Sequence, residues 1–167
     1  MTMPDSLFSA PPAAEAVRPQ MTIYTDGACD PNPGIGGWAA ILIDTEAKIK
    51  TEIAGGERES TNNRMELTAV IEALTRLPGP SDVLLITDSE YVKNAFTQGW
   101  LANWQRRGWK TADKKPVKNQ DLWQKLVVLT ASHRITWKWV RGHAFDVNNN
   151  RCDELAVQAR LKIKAAR

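Results

Sequence analysis

The alternation of apolar and polar residues changes its period along this chain and separates strands from helices. Short apolar runs bounded by turn residues predict strands at 21–25, 37–43 and, more weakly, 47–54. The segment 30–34 predicts a turn, and the pair Gly55-Gly56 is expected to end the third strand. Three strands joined by short turns favour an antiparallel meander.

From Met65 onward the apolar residues take helical spacing, as Met65, Ala69, Ala73 and Leu77 show. The Pro-Gly-Pro run at 78–80 is expected to end this helix. The later elements are a strand at 83–87, helices at 89–97, 101–107 and 121–131, a strand at 135–140 and a helix at 152–162. The order β-β-β-α-β-α-α-α-β-α predicts an α/β domain with a mixed sheet, because strands that alternate with helices pair in parallel.

Composition fits one globular domain, with 43% hydrophobic and 25% charged residues in a chain of 167. Residues 1–20 are rich in Pro, Ala and Ser without periodicity, which predicts a disordered arm before a single domain at 21–167. No apolar run approaches the roughly 20 residues of a membrane span. Two cysteines and no secretory leader favour a reducing cytoplasm.

Positive charge is concentrated in one segment. Residues 104–118 contain six basic residues and one acid, although the whole chain carries only +3. Trp100, Trp104 and Trp109 are interleaved with these cations. Aromatic faces beside cations are typical of nucleic-acid binding. The alternatives are a solvated surface for the cations and core packing for the tryptophans.

Four carboxylates lie where elements end or begin. Asp26 and Asp88 follow predicted strands, whereas Glu66 and Asp153 fall in the predicted first turns of helices. Each has a structural explanation alone: a turn for Asp26, an N-cap for Asp88, a capping box with Asn63 for Glu66, and the helix dipole for Asp153. Together they would meet at one rim of the sheet. Such a nest of negative charge requires a divalent cation, and hard cations such as Mg²⁺ take oxygen ligands.

His143 follows the last predicted strand, and the run 148–150 of three asparagines predicts a flexible loop beyond it. A titratable group on a mobile loop beside an acidic site is a candidate proton carrier. The alternative is an ordinary surface histidine.

Taken in chain order, these motifs resemble bacterial type 1 ribonuclease H over roughly residues 21–160. The motifs are Thr25-Asp26-Gly27, Asn32-Pro33-Gly34, Thr61-Asn62-Asn63-Arg64-Met65-Glu66-Leu67, Thr87-Asp88-Ser89, the basic segment at 104–119, Gly142-His143-Ala144, and Arg151-Cys152-Asp153-Glu154. Single motifs are weak signals, but the ordered set is specific.

The resemblance implies cleavage of the RNA strand of RNA–DNA hybrids by a ribonuclease H-like fold. That fold is a five-stranded mixed sheet, three antiparallel strands then two parallel, with helices on both faces. It implies that Asp26, Glu66, Asp88 and Asp153 bind metal and that His143 is a mobile catalytic histidine. The candidate nucleic-acid contacts are Cys29, Asn32, Thr61, Asn62, Asn63, Trp100, Trp104, Arg106, Arg107, Lys110, Lys114 and Lys115. Nothing in the sequence demands an oligomer, so a monomer is expected.

The expected chemistry is hydrolysis assisted by two Mg²⁺ ions, with Mn²⁺ as a substitute and Asp26 shared between the ions. Selection of RNA must use the 2′-hydroxyl, read by backbone groups of residues 29–34 and by the Asn62 and Asn63 amides.

The sequence departs from the family pattern at Glu90, where relatives commonly have Gln, at an extra Gly99, and in the loop 145–150. A binding module that holds hybrids without cutting them is the main alternative. A related polynucleotidyl transferase acting on DNA ends is weaker, because the basic segment favours hybrids.

Overall fold

A computed structural model describes residues 17–141 and 146–166 of the chain. The elements occur in the predicted order. They are β1 (Gln20–Cys29), β2 (Gly34–Asp44), β3 (Ile49–Ser60), α1 (Asn62–Thr75), β4 (Asp82–Thr87), α2 (Glu90–Thr97), α3 (Trp100–Arg106), α4 (Gln120–Ala131), β5 (Arg134–Trp139) and α5 (Val147–Ala165). Of the arm predicted at residues 1–20, residues 1–16 lie outside the described part, whereas Gln20 already pairs with Asp82 in the sheet.

The five strands form one mixed sheet in the order β3-β2-β1-β4-β5. The first three strands pair antiparallel, and β1, β4 and β5 pair in parallel, which confirms the predicted topology. Thr25 of β1 is paired with Thr87 of β4. The residues that follow them, Asp26 and Asp88, are therefore neighbours at the same rim of the sheet.

Alternating residues of the strands build two hydrophobic layers. Ile23 and Leu42 belong to the larger cluster, which includes buried residues of α1 and α4. Tyr24 and Ile41 belong to a second cluster that includes Cys152 and Ala156 of α5. Helices therefore cover both faces of the sheet, as predicted. No helix within the described ranges is long and apolar enough to cross a membrane.

Two glycines let helices approach the sheet closely. A Cβ at Gly27 would lie 2.5 Å from the Glu66 backbone nitrogen, so α1 rests directly on β1 beside Asp26. A Cβ at Gly37 would lie 2.2 Å from the Ala156 carbonyl oxygen, so α5 rests directly on β2. These contacts set how near the carboxylates of α1 and α5 come to the rim.

The two largest boundary errors are at the end of β3 and the start of α5. β3 continues through Gly55-Gly56 to Ser60, because Gly55 pairs with Trp38 and a Cβ there would lie 2.7 Å from the Trp38 ring. The last helix begins at Val147 rather than residue 152, because the Asp146 side chain accepts hydrogen bonds from the Asn148 and Asn149 nitrogens and caps it. The run 148–150 is therefore helical and not a loop.

Candidate active site

The pairing of β1 and β4 positions Asp26 and Asp88. Asp26 lies within β1 opposite Ala39 of β2, and only 6% of it is exposed. Its Oδ1 accepts a hydrogen bond of 2.8 Å from the Gly27 nitrogen. The predicted turn role for Asp26 is therefore wrong, since the strand continues to Cys29. Trp139 at the end of β5 donates its Nε1–H to the Asp88 carbonyl at 3.0 Å, which fixes the backbone that carries this carboxylate.

Glu66 is positioned by the start of α1. Thr61 caps this helix, since its Oγ1 accepts a hydrogen bond of 3.1 Å from the Arg64 nitrogen. Glu66 is then the fifth residue of the helix and lies beyond the first turn. The capping box between Asn63 and Glu66 is therefore wrong, and the side chain of Glu66 is not required to close the helix end.

Ser89 connects Glu66 with the start of α2. Its hydroxyl donates to Glu66 Oε2 at 2.5 Å and accepts from the Val92 nitrogen at 3.1 Å. Ser89, rather than Asp88, is thus the N-cap of α2. Neither Glu66 nor Asp88 serves the helix-capping role that would have explained it without a functional site.

Asp153 is carried by α5. It is the seventh residue of that helix, so the prediction that it lies in the first turn is wrong, and dipole complementation in the first turn does not explain it. The preceding residue, Cys152, is fully buried and donates its thiol to the Ala39 carbonyl at 3.2 Å. Because Ala39 pairs with Asp26, this contact holds α5 against the strand that carries the buried carboxylate.

All four carboxylates line one cleft of about 670 Å³. Its lining residues are Asp26, Gly27, Ala28, Cys29, Asp30, Asn62, Glu66, Asp88, Asn149, Asn150, Asp153, Val157 and Arg160. The side chains that the sequence separates by up to 127 positions are brought to the same concave surface.

Burial and nearby negative charge make two of these acids, Asp26 and Glu66, hold their protons. Burial, together with the charges of Asp88 and Asp153, raises the pKa of Asp26 to about 8, against the opposing hydrogen bond from the Gly27 nitrogen. Burial, together with the charge of Asp88, raises the pKa of Glu66 to about 7, against the opposing hydrogen bond from Ser89. A group that resists ionisation in this way is stabilised as a carboxylate by a nearby positive charge.

The donor set of the cleft suits a hard divalent cation. Four carboxylates offer oxygen ligands, the type that Mg²⁺ and Mn²⁺ prefer. Among residues 17–141 and 146–166, no group of three or more His, Cys, Asp and Glu side chains forms a ready-made metal cage. The fit therefore rests on the chemistry of the cleft, where four carboxylates from separate elements line one surface and a cation would favour the ionised forms of Asp26 and Glu66.

A second, larger groove of about 1070 Å³ joins the acidic cleft. The two share Asn62 and Glu66 as lining residues. Asn32, Thr61 and Asn63 also line the groove. The position near a nucleic-acid backbone that the resemblance implies for them stays a prediction.

Hydrogen bonds fix the junction between the cleft and the groove. Asn32 Oδ1 accepts from the Asn62 nitrogen at 3.1 Å, and Asn62 Oδ1 accepts from the Cys29 nitrogen at 2.8 Å. The Cys29 thiol is buried. Contact between nucleic acid and the Cys29 N–H would therefore have to replace an existing bond.

The basic segment and the neighbouring Trp100 combine partly buried rings with exposed cations. Trp104 lies 6.1 Å from Trp100, 6.5 Å from Trp109 and 5.5 Å from the fully buried Trp123, between ring centroids. Trp100, Trp104 and Trp109 all pack against the larger hydrophobic cluster, and Trp104 also lines the groove. The exposed cations are Arg106, Arg107, Lys110, Lys114, Lys115 and Lys118, of which the last two line the groove. Core packing thus accounts for most of the tryptophans, whereas the cations remain available for an anionic partner.

The candidate proton carrier His143 lies outside the described residues. Three other residues at the site were not singled out from the sequence: Ser89, Trp139 and Arg160. Arg160 had a usable signal, because it follows Asp153 by seven residues and so lies on the same face of a helix.

Comparisons with known proteins agree with this architecture. The family model described as RNase H matches residues 18–160. A protein named Ribonuclease H from Ruegeria pomeroyi is 56% identical over 141 residues, which are 83% of this chain and 90% of the relative. A protein named Ribonuclease HI from Pseudomonas aeruginosa is 55% identical over 139 residues, 83% of this chain and 92% of the relative.

Among solved structures, LC9-RNase H1, described as a type 1 RNase H with the type 2 active-site motif, is similar in fold and sequence. It has a TM-score of 0.79 and 30% identity, over 89% of this chain and 75% of that one. LC11-RNase H1, solved in complex with an RNA/DNA hybrid, has a TM-score of 0.64 and 22% identity, over 87% of this chain and 99% of that one, and shares the fold.

Proposed function

The chain belongs to the ribonuclease H family, and we propose that it hydrolyses the RNA strand of RNA–DNA hybrids with two Mg²⁺ or Mn²⁺ ions bound at Asp26, Glu66, Asp88 and Asp153. The observation that carries this proposal is the single cleft that all four carboxylates line. Ions of this kind, when bound, supply a deprotonated water at neutral pH and neutralise charge on the leaving oxygen.

Asp26 is the carboxylate best suited to be shared between two ions. It is the most buried of the four, and the charges of both Asp88 and Asp153 act on it. Glu66 has one oxygen held by Ser89, so its other oxygen, Oε1, is the one we assign to a ligand role. The chain thus fixes its ligands before substrate binds, which reduces the reorganisation needed for reaction.

Water, rather than a side chain, is the nucleophile in this proposal. The two thiols near the site are Cys29 and Cys152, and both are buried. Burial raises the pKa of each thiol, and Asp26 and Asp88 raise that of Cys152 further. A protonated, enclosed thiol is a poor nucleophile.

The groove beside the cleft would hold the hybrid. Its Lys115 and Lys118 suit phosphate contacts. Asn62 lines both the cleft and the groove, so it would lie between the two strands of a duplex that has one strand in each. Reading of the RNA strand then falls to the turn at 29–34 and to the amides of Asn62 and Asn63, through the 2′-hydroxyl. In this proposal, His143 moves a proton or assists product release.

The direct test incubates an RNA–DNA hybrid with the protein in Mg²⁺, with and without chelator, beside single-stranded RNA and duplex DNA. The proposal expects RNA cleavage in the hybrid only, lost on chelation. A protein that retards the hybrid on a gel but leaves its RNA intact would instead be a binding module. Cutting of duplex DNA would favour a polynucleotidyl transferase. Because one chain supplies all four acids, sedimentation during the assay should show a monomer.

A further inference from the structure

Arg160 places a positive charge inside the acidic cleft. It lines the same cleft as the four carboxylates and Asp30 and is the one Lys or Arg among the residues described there. It follows Asp153 by two helical turns on α5, a rise of about 10 Å. Its position is therefore on the α5 wall, whereas the basic segment lies along the groove.

Contacts of both the backbone and the guanidinium fix the position of Arg160. Its backbone is pressed onto β2, since a Cβ at Gly37 would lie 2.6 Å from the Arg160 nitrogen and 3.0 Å from its Cα. At the other end, its Nη1 donates to the Asp30 carbonyl at 3.1 Å. Arg160 is half-buried as a residue, and this hydrogen bond holds its guanidinium at the turn that opens the cleft.

The guanidinium retains most of its binding capacity. Arg64, Arg76, Arg134 and Arg151 each form an ion pair with a carboxylate, but within the described ranges none is found for Arg160. One of its five N–H groups is used by a neutral carbonyl. A cation held in this way, beside acids but not paired with them, keeps its charge for a ligand.

We infer that Arg160 binds a phosphate of the RNA strand within a few nucleotides of the phosphate that is cut. This inference rests on the proposed function, because it needs the RNA strand in the acidic cleft. The planar guanidinium fork matches two phosphate oxygens, and a charge-assisted pair of this kind is stronger than a neutral hydrogen bond. In the acidic cleft, this contact holds the strand against the α5 wall.

The first experiment measures hybrid binding in chelator, where no cleavage occurs, for wild type, Arg160→Gln and Arg160→Lys. Lys162→Ala is the matched control, since it removes one positive charge from the same helix at a depression on the β3 side. Arg160→Gln should raise the dissociation constant about five- to tenfold and lower the salt slope by about 0.7–0.9, the loss of one phosphate contact. Arg160→Lys should keep the slope. Equal behaviour of Arg160→Gln and Lys162→Ala would overturn the inference.

The second experiment locates the contact with hybrids in which one RNA phosphate at a time is an uncharged methylphosphonate. Wild type should lose affinity at one position near the cut, and Arg160→Gln should lose that sensitivity while keeping its sensitivity elsewhere. Sensitivity that is unchanged at every position, or that follows removal of a 2′-hydroxyl instead, would overturn the phosphate assignment.

Thermal unfolding separates this role from a purely structural one, in which Arg160 only ties α5 to the 29–34 turn. A structural role predicts a lower melting temperature for Arg160→Gln with an unchanged methylphosphonate profile. Wild type that fails to cut any hybrid would refute the proposed function itself, whereas wild type that cuts normally while Arg160→Gln matches the control would refute only the inference.

Discussion

The acidic cleft and the basic segment are built in opposite ways. The cleft takes its four carboxylates from β1, α1, α5 and the residue after β4, and glycines bring the helix backbones onto the sheet beneath them. The basic segment takes its cations from one stretch of α3 and the following loop, where their long side chains are exposed. Its tryptophans pack against the larger hydrophobic cluster, Trp104 directly against Trp123, and so act as supports.

This difference suits the carboxylates of the cleft to catalysis and the basic segment to hybrid binding. In the proposed site, ligands for a metal must be held closely, and rigid strands and helices would hold them at the cost of bringing together charges that repel. Phosphate contacts tolerate mobile side chains, because screened charge attraction is non-directional and adds over many residues. Changes to the four carboxylates should therefore alter catalysis, and changes to the cations of the segment should alter binding.

Asp26→Asn should produce the largest effect. The amide keeps the size of the side chain but removes the charge that two ions would share, so we expect kcat to fall at least about a thousandfold, roughly 4 kcal/mol of barrier. Hybrid binding measured in chelator near pH 7 should be nearly unchanged, because without metal Asp26 keeps its proton and Asn is its neutral counterpart. Single-turnover cleavage and gel retardation measure the two quantities. Substantial cleavage by the variant would remove Asp26 from the central role.

Neutralising the basic segment should change KM rather than kcat. Replacement of Arg106, Arg107, Lys114 and Lys115 by Ala should raise KM about 10- to 100-fold and flatten its salt dependence, with kcat changed little. Replacement of Lys48, Lys125, Lys162 and Lys164, which line neither cleft nor groove, is the control for net charge. A fall in kcat at unchanged KM would show that the division between the two regions is wrong.

Stability should depend on pH through the cleft. The raised pKa values of Asp26 and Glu66 mean that the folded protein keeps protons that the unfolded chain releases. Without metal, the free energy of unfolding should therefore fall as pH rises from about 4 to about 8. At pH 8, the free energy of unfolding of Asp26→Asn should exceed that of wild type by at least about 1.4 kcal/mol, the value of one pKa unit. Mg²⁺ should close this gap by stabilising wild type.

Chemical denaturation of the variants over a series of pH values measures this dependence. Asp121 provides a control, because its contribution to stability should change with pH in the opposite direction. Its ion pair with Arg64 holds the pKa of Asp121 below its usual range, so its small contribution is present at neutral pH and is lost on acidification. The free energy of unfolding of Asp121→Asn should lie slightly below that of wild type at pH 7, and the two values should converge in acid. A variant series in which both substitutions shift stability in the same direction with pH would contradict the assigned electrostatics.

The smallest effect is expected at Glu90. This exposed carboxylate opens α2 beside Asp88 and lines a depression together with Asp88 and Glu66. Glu90→Gln removes a charge that repels the hybrid, so KM should fall about twofold with kcat unchanged, as a screened, exposed charge allows. Steady-state kinetics at low and high salt measure it, and the gain should vanish at high salt.

The element order and sheet topology could be predicted because hydrophobic period and turn residues are local signals. The ends of the elements could not be predicted, because strand pairing decides them. Gly55-Gly56 looked like a break, but Gly55 pairs with Trp38 and the Trp38 ring packs over it, so the strand continues. The start of α5 was misplaced because Asp146, a cap, lies before three asparagines that favour loops when considered alone.

The convergence of Asp26, Glu66, Asp88 and Asp153 could be expected from strand ends and from resemblance, but their supports could not. Ser89 holding Glu66 and Trp139 holding the Asp88 backbone are contacts across 23 and 51 positions of sequence, and no local pattern encodes them. Arg160 shares a helix face with Asp153, yet only the turn at Asp30 shows that its charge enters the cleft.

The proposed function requires that four acids from separate elements form one metal site. Crystals of the wild-type protein soaked in Mn²⁺ would show this, because anomalous scattering locates the ion without assumption about ligands. We expect Mn²⁺ in the cleft with oxygen ligands from Asp26 and at least two of Glu66, Asp88 and Asp153. Manganese bound elsewhere while these four carboxylates remain apart would contradict it.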